Sequence, residues 1–262
     1  MLQFFRINNN MMTAKVSIVT VTYNCESTIE ETLLSVIRQT YNNTEFIVID
    51  GRSSDNTINI INKYKEQIDV FVSEKDHGIF DAMNKGIQKA TGDWIMFMNA
   101  GDSFFESDTI SQLSYLMNDP SNGVIYGPHF LRYNNHNRLI NDIPFFQQNG
   151  KYRNMGFSHQ SCLVRTKLAK KYYFELEYKL SADYKMLWHL YYDENVCFAK
   201  SDIPIAIMDD NGGETVSNYK RHLVEECEIC GFWDSQLRSF FIELKFFEFK
   251  IKRLIKKLIF MR

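Results

Sequence analysis

Four short apolar runs constrain the fold of this chain more than any other feature. Residues 16–21, 46–49, 70–73 and 94–98 are rich in Val, Ile and Phe, and the stretches between them carry apolar residues at every third or fourth position. Ile29, Leu33, Val36 and Ile37 share one helical face, Ile58, Ile61 and Tyr64 a second, and Phe80, Met83, Ile87 and Ala90 a third. Strands covered on both faces need near-continuous apolar runs, and strands alternating with amphipathic helices build βαβ units around a parallel sheet. The predicted fold class is therefore α/β, with a Rossmann-like, mostly parallel central sheet flanked by helices.

Such a sheet also predicts where chemistry belongs. Ligands of open parallel sheets sit beyond the carboxyl ends of the strands. Asn24, Asp50, Asp76 and Asp102 fall at or just after those ends, so four polar side chains are expected on one rim. Beyond about residue 124 the regularity weakens. Residues 128–141 read as hairpins and loops, helical patterns return around 166–173 and 182–191, and 209–213 has a loop composition. From residue 237 onward Leu237, Phe240, Leu244, Phe247, Ile251, Leu254 and Leu258 follow one another in steps of three and four, which is one stripe along a long helix.

Composition excludes several classes. With 262 residues, 45% of them hydrophobic, the chain can bury the core of one sizeable domain. A net charge of -2 lacks the basic excess that phosphate neutralisation requires, so no nucleic-acid partner is expected. No apolar stretch approaches the ~20 residues that span a bilayer. Five cysteines make no disulfide framework and fit a reducing cytoplasm; Cys227 and Cys230, a lone CxxC, read as two buried thiols. Residues 1–14 are expected to be a leader without the apolar core of a signal peptide.

Several motifs stand together in order: Thr20-Val21-Thr22-Tyr23-Asn24, Ser35-Val36-Ile37-Arg38-Gln39-Thr40, Val48-Ile49-Asp50-Gly51-Arg52-Ser53-Ser54-Asp55, Glu74-Lys75-Asp76-His77-Gly78-Ile79-Phe80-Asp81-Ala82-Met83-Asn84-Lys85-Gly86 and Asn99-Ala100-Gly101-Asp102. Sparser matches follow at Ser158-His159-Gln160-Ser161 and Ser181-Ala182-Asp183-Tyr184. In this combination the chain resembles the inverting family-2 glycosyltransferases of GT-A fold, in particular those that build bacterial surface polysaccharides. The resemblance implies a catalytic domain over 15–235, with a nucleotide-sugar-binding half at 15–125 and an acceptor half at 126–235, followed by a basic amphipathic helix at 236–262.

By the same resemblance, Asp102 matches the metal-facing acid of the family's Asp-x-Asp, here reduced to Asn99-Ala100-Gly101-Asp102. A single carboxylate leaves most of the coordination of Mn²⁺ or Mg²⁺ to diphosphate oxygens and water. Thr22, Tyr23, Asn24, Asp50 and Asp76 would line the nucleotide pocket, although Gly51 stands where many relatives carry a second Asp. Asp81, Asn84 and His159 are candidates for contact with the donor or its diphosphate. Asp183 is the candidate base, placed to take the acceptor hydroxyl's proton on the side away from the leaving group. Each has a structural alternative: Asp50 as a turn-satisfied carboxylate, Asp81 and Asn84 as a solvated helix face, His159 as a core histidine, and Asp183 as an acid favoured by a helix N-terminus.

The implied reaction is transfer of a sugar, with inversion, from a nucleotide diphosphate sugar (a UDP-sugar above others) to a glycan or lipid-linked acceptor. The rival class is a nucleotide-sugar-binding protein whose catalysis has lapsed. The tail carries seven Lys or Arg from Lys245 to Arg262 against the single acid Glu248. Peripheral contact with the inner face of the cytoplasmic membrane, packing on the domain and a homodimer contact all remain open for it.

Overall fold

The structure, a computed structural model, describes residues 13–133, 136–141, 143–209, 214–233 and 235–260. The expected leader falls largely outside them, as do the loop residues Asp210, Asn211, Gly212 and Gly213. Ala14 already belongs to the domain: it is buried, and its carbonyl accepts the Tyr41 hydroxyl at 2.7 Å.

Four parallel strands form as the apolar runs dictate: β1 (Val16–Thr22), β2 (Thr44–Asp50), β3 (Val70–Ser73) and β4 (Trp94–Phe97). The helices α1 (Ile29–Ile37), α2 (Thr57–Asn62) and α3 (Ile79–Lys89) connect them. Every residue of β1 is buried. Alternate residues feed opposite faces of the sheet, as a pleat requires. Val19, Val21, Ile47, Ile49, Ile95 and Phe97 pack under α3, while Val16, Ile18, Phe46, Val48, Trp94 and Met96 pack with Ile29 and Leu33 of α1 and Ile60 and Ile61 of α2. Fully buried side chains such as Leu33 and Ile47 each contribute roughly 1.5–3 kcal/mol relative to exposure.

Further along come β5 (Ser103–Phe104), α4 (Thr109–Met117), β6 (Asn122–Tyr126), β7 (His129–Tyr133), β8 (His136–Ile140), β9 (Cys162–Arg165), α5 (Thr166–Tyr172), α6 (Ala182–Tyr192), β10 (Cys197–Lys200) and β11 (Ala206–Asp209). The main sheet has seven strands in the order β10-β6-β9-β4-β1-β2-β3, with β9 antiparallel between β4 and β6. A second sheet, β5-β11-β7-β8, contains the expected hairpin as β7 and β8. The main sheet thus draws strands from both sides of residue 125, so the two predicted halves share one framework.

The chain closes with α7 (Glu214–Ser217), α8 (Tyr219–Ile229) and α9 (Ser235–Phe260). Cys227 and Cys230 are buried free thiols in the small core between α8 and α9, and burial pushes Cys227 up to about 12. The long helix does not pack through its regular stripe. Ile242 is buried, Phe241 packs on Tyr152 and Phe232, and Phe249 stacks on Tyr219, whereas Leu237, Phe240, Leu244, Phe247, Ile251 and Leu254 all stay exposed. The side chain of Leu258 lies outside the described residues.

Candidate active site

The rim forms where β1, β2 and β4 end side by side, Thr22 being in register with Asp50. Past β1 the chain turns sharply: Asn24 has φ 50° and is held by its N–H donating to Ser53 Oγ and its Oδ1 accepting from Ser54 N–H, both at 2.8 Å. This turn leaves Tyr23 60% exposed, an aromatic ring presented to solvent at the rim. Thr22 is buried, and its hydroxyl has no partner.

Asp50 lies beneath the rim. It is fully buried and accepts from Ser53 N–H at 3.0 Å, from Ser53 Oγ and from Ser73 Oγ at 2.6 Å, so it braces the two turns that carry the pocket wall. Asp76 is nearer the surface. Its Oδ1 accepts Gly78 N–H at 2.9 Å, and its Oδ2 fills the space beside Gly51: a Cβ at residue 51 would lie 2.4 Å from that oxygen and 3.3 Å from the Tyr23 ring. A side chain at 51 would require the Asp76 carboxylate to move aside. The Asp76 carboxylate takes up the position toward which a second acid at 51 would have projected.

The helix positions separate. Asp81 accepts His77 N–H at 2.9 Å and lies 4.0 Å from Lys85; burial opposes its ionisation, but the bonds from His77 prevail and hold it below its ordinary value. Asn84 bonds to the protein itself. Its amide donates to Phe174 O at 2.9 Å and accepts Phe174 N–H at 2.8 Å, which uses both ends to pin a loop ninety positions away.

Two acids converge through one turn. Asp102 follows β4 on a turn in which Gly101 takes φ 103°, and Thr32 of α1 braces it from behind, accepting Gly101 N–H at 3.0 Å and donating to Asp102 O at 2.7 Å. Asp183 occupies the first turn of α6. Between them lies a 3₁₀ turn, His159–Ser161. Gln160 Nε2 donates to Asp102 Oδ2 at 3.0 Å, and the neighbouring His159 Nδ1 meets Asp183 Oδ2 at 2.8 Å. His159 Nε2 in turn faces Asn99 Nδ2 at 3.2 Å, so the imidazole donates to Asp183 and accepts from Asn99, whose Oδ1 is left buried without a partner.

Asp102 is buried, and Asp183 is half-buried. Burial pushes Asp102 up to about 6, against the Gln160 bond and the nearby His159. Burial raises Asp183 too, but the bond from His159 and that from the Tyr184 N–H at 2.9 Å outweigh it and hold Asp183 below its ordinary value. Gln160 was not singled out from the sequence, although it stands inside the quoted Ser158-His159-Gln160-Ser161.

Two more residues, both on α8, join the site, and of these Glu225 emerges only from the structure. Glu225 of α8, 6% exposed, accepts the backbone N–H groups of Lys179, Leu180 and Ser181 at 3.1, 2.9 and 3.1 Å. His222 Nδ1 bonds Ser181 Oγ at 2.9 Å. Together they fix the turn from which α6 carries Asp183, which is a positioning role. Neither has a local sequence signal, because their partners lie about forty positions back.

Among the described residues no three His, Cys, Asp or Glu side chains cluster to hold a metal ion. What Asp102 offers is one buried carboxylate that the Gln160 amide and the Asp209 backbone N–H already engage. That donor set fits a hard divalent cation whose remaining ligands come from a diphosphate, and not an all-protein cage.

Comparisons with known proteins bear on the family and the fold. The PGL/p-HBAD biosynthesis glycosyltransferase of Mycobacterium bovis is 33% identical over 124 residues, 45% of this chain and 48% of that protein. The putative teichuronic acid biosynthesis glycosyltransferase TuaG of Bacillus subtilis is 32% identical over 105 residues, 39% of this chain and 42% of its own. The match thus spans about half the length of these relatives or less. Among solved structures, S. aureus TarS with UDP-GlcNAc superposes with TM-score 0.63 at 20% identity over 78% of this chain and 61% of that one. The mannosyltransferase PcManGT of Pyrobaculum calidifontis, in complex with GDP-Man and Mn²⁺, gives 0.66 at 15% over 85% and 65%. The model of glycosyl transferase family 2 matches residues 17–173, so with this rim and this sheet order the chain belongs to that family and has its GT-A fold.

Proposed function

We propose that this chain is an inverting glycosyltransferase that moves a sugar from a nucleotide diphosphate sugar, a UDP-sugar above others, to a hydroxyl of a glycan or lipid-linked acceptor in cell-surface polysaccharide biosynthesis. The observation that carries the reading is the turn at 159–161, which ties a diphosphate-side acid and a base-side acid to consecutive residues. The names of the Mycobacterium bovis and Bacillus subtilis relatives, and the UDP-GlcNAc bound to TarS, support it.

The exposed Tyr23 ring packs against the base, with Asp76 beside it to accept from the nucleoside and the Thr22 hydroxyl and Asn24 turn below. Asp102 is the residue that would hold Mn²⁺ or Mg²⁺, and the chemistry such a cation supplies is neutralisation of the charge gathering on the leaving diphosphate. Asp183, ionised because His159 holds it so, receives the proton of the acceptor hydroxyl. The acceptor oxygen bonds the anomeric carbon as the bond to the diphosphate oxygen breaks on the opposite face, which inverts that centre. Glu225 and His222 keep the base in place.

A thermal-shift screen of nucleotide sugars with and without Mn²⁺ tests the donor side, since a ligand of the folded state raises apparent stability. The expected result is a midpoint rise with a UDP-sugar that grows with Mn²⁺; equal shifts without the cation would remove Asp102 from its role. Gly101, standing where the family's first acid is common, favours the second reading of a lapsed nucleotide-sugar-binding protein. Donor binding without turnover on any acceptor pool would establish that alternative.

No helix among the described residues is long and apolar enough to cross a membrane. The exposed stripe of α9 suits the anionic inner surface of the cytoplasmic membrane. Its acids Glu243 and Glu248 are paired with Lys220 and Lys245, and Arg238, Lys250, Lys252 and Arg253 are among the cations that remain on the helix. Flotation with phosphatidylserine vesicles is expected for the full chain and lost in a Phe240→Ser, Phe247→Ser, Leu254→Ser triple variant. Equal flotation would leave a homodimer contact as the use of the stripe.

A further inference from the structure

A sizeable cavity among the described residues has no role in the site described above, although Asp81 is part of its lining. It measures about 350 Å³, toward the lower end of the range for small-ligand sites, roughly 300–1,000 Å³. It opens between the first turn of α3, the loop ahead of α6 and the start of α8. One wall is continuous with the nucleotide side, because Gly78 lines it and is bonded to Asp76. The opposite wall leads to the base, because Leu180 lines it and Asp183 follows three residues later.

The lining is of two kinds. Ile79 and Leu176 form an exposed apolar lip, 40% and 38% accessible. Asp81, Lys179, Asn218 and Arg221 supply polar groups of both signs. Arg221 is aimed: its Nε is held by Glu225 Oε1 at 3.1 Å, which leaves the two terminal amino groups of the fork to other acceptors. The same Glu225 grips the backbone of residues 179–181. A pyranose has that pair of properties, with an apolar C–H face and a ring of hydroxyls that both donate and accept. A bare phosphate would have no use for the lip, and a lipid tail none for the polar floor.

We propose that this cavity holds a sugar unit of the acceptor, with its C–H face on Ile79 and Leu176 and its hydroxyls on Asp81 and Arg221. Its role as acceptor subsite rests on the glycosyltransferase reading above; its capacity to bind a sugar does not. Through Glu225, a sugar seated against Arg221 is linked to the turn that positions Asp183.

The test uses the full chain and saturation-transfer NMR with methyl glycosides of glucose, galactose, mannose, N-acetylglucosamine and rhamnose, with and without UDP. At least one glycoside is expected to receive saturation that UDP does not displace and that Leu176→Trp, which fills the cavity from its exposed lip, reduces at least fivefold. Arg221→Met is expected to weaken the same signal. Displacement by UDP would assign the cavity to the donor and overturn the proposal. Absence of transfer to every glycoside, or transfer unchanged in both variants, would also overturn it. The UDP resonances read the other question separately: glycoside binding without any UDP binding would sink the nucleotide-sugar reading while the sugar site stood.

Discussion

Asp102 is buried and Asp183 nearly so, its side chain 14% exposed, yet their ionisation moves in opposite directions. Burial drives both upward. At the end of β4 the partner is a neutral amide, Gln160, and Asp102 rises to about 6. At the start of α6 the partner is an imidazole, His159, and Asp183 is held low. Protonation here is set by the partner and not by depth. The division suits the proposed roles, because an acid meant for a cation gains its counter-charge only on loading, whereas a base must be ionised when the acceptor arrives.

The comparison breaks most severely at the base. Asp183→Asn preserves shape and removes the proton acceptor, so turnover is expected to fall by about a thousandfold, within the usual range for a general base, ~10²–10⁴. Donor affinity measured by calorimetry should stay within about twofold, given that Asp183 stands on the acceptor side. Retained turnover would move the base elsewhere and reduce the two acids to a structural pair.

A partner swap probes the same contrast more gently. His159→Gln gives Asp183 the kind of neutral partner that Asp102 has, and with the imidazole gone the burial penalty is no longer outweighed. Asp183 then rises, and the acid limb of the kcat profile should shift to higher pH, with a loss of about tenfold to a hundredfold at neutral pH. A lower rate with an unmoved acid limb would show that His159 acts on the substrate directly and not through Asp183.

The two regions also differ in how much of them was legible in the sequence. The rim at β1, β2 and β4 follows from local pattern, since apolar runs and the polar residue that ends each are visible without partners. Sequence spacing could not show that β9 would insert antiparallel between β4 and β6, or that two residues, 103 and 104, would join β11 in a second sheet. Those pairings join segments about forty to a hundred positions apart. Asn84 shows the same limit for a site residue: its place on α3 was readable, but its partner Phe174 was not. The stripe of α9 was read correctly as continuous, yet the domain is gripped by Phe241, Ile242 and Phe249 on another face. Periodicity identifies an apolar face without saying what covers it.

Another buried carboxylate, at the amino edge of the same sheet and away from the rim, supplies the reference. Glu45 near the start of β2 accepts from Ser17 Oγ and from both Thr91 N–H and Thr91 Oγ1 at 2.5 Å, and pairs with Lys15 at 2.9 Å. Burial opposes ionisation there as well, but these donors together bring Glu45 to about 2 from an ordinary 4.5. A carboxylate depressed on folding stabilises the native state above its unfolded value, and that stabilisation is lost as pH falls through its folded value. The window is therefore from about 4.5 down to about 2. Glu45→Gln should lower stability by about 1–2 kcal/mol at pH 7, allowing for solvent screening, and by progressively less as the pH falls through that window. Chemical denaturation of both proteins at pH 7 and pH 3 reads the difference directly. Turnover should not change, because Glu45 touches neither acid of the rim; a pH-independent loss would mean that packing, and not charge, holds this corner of the sheet.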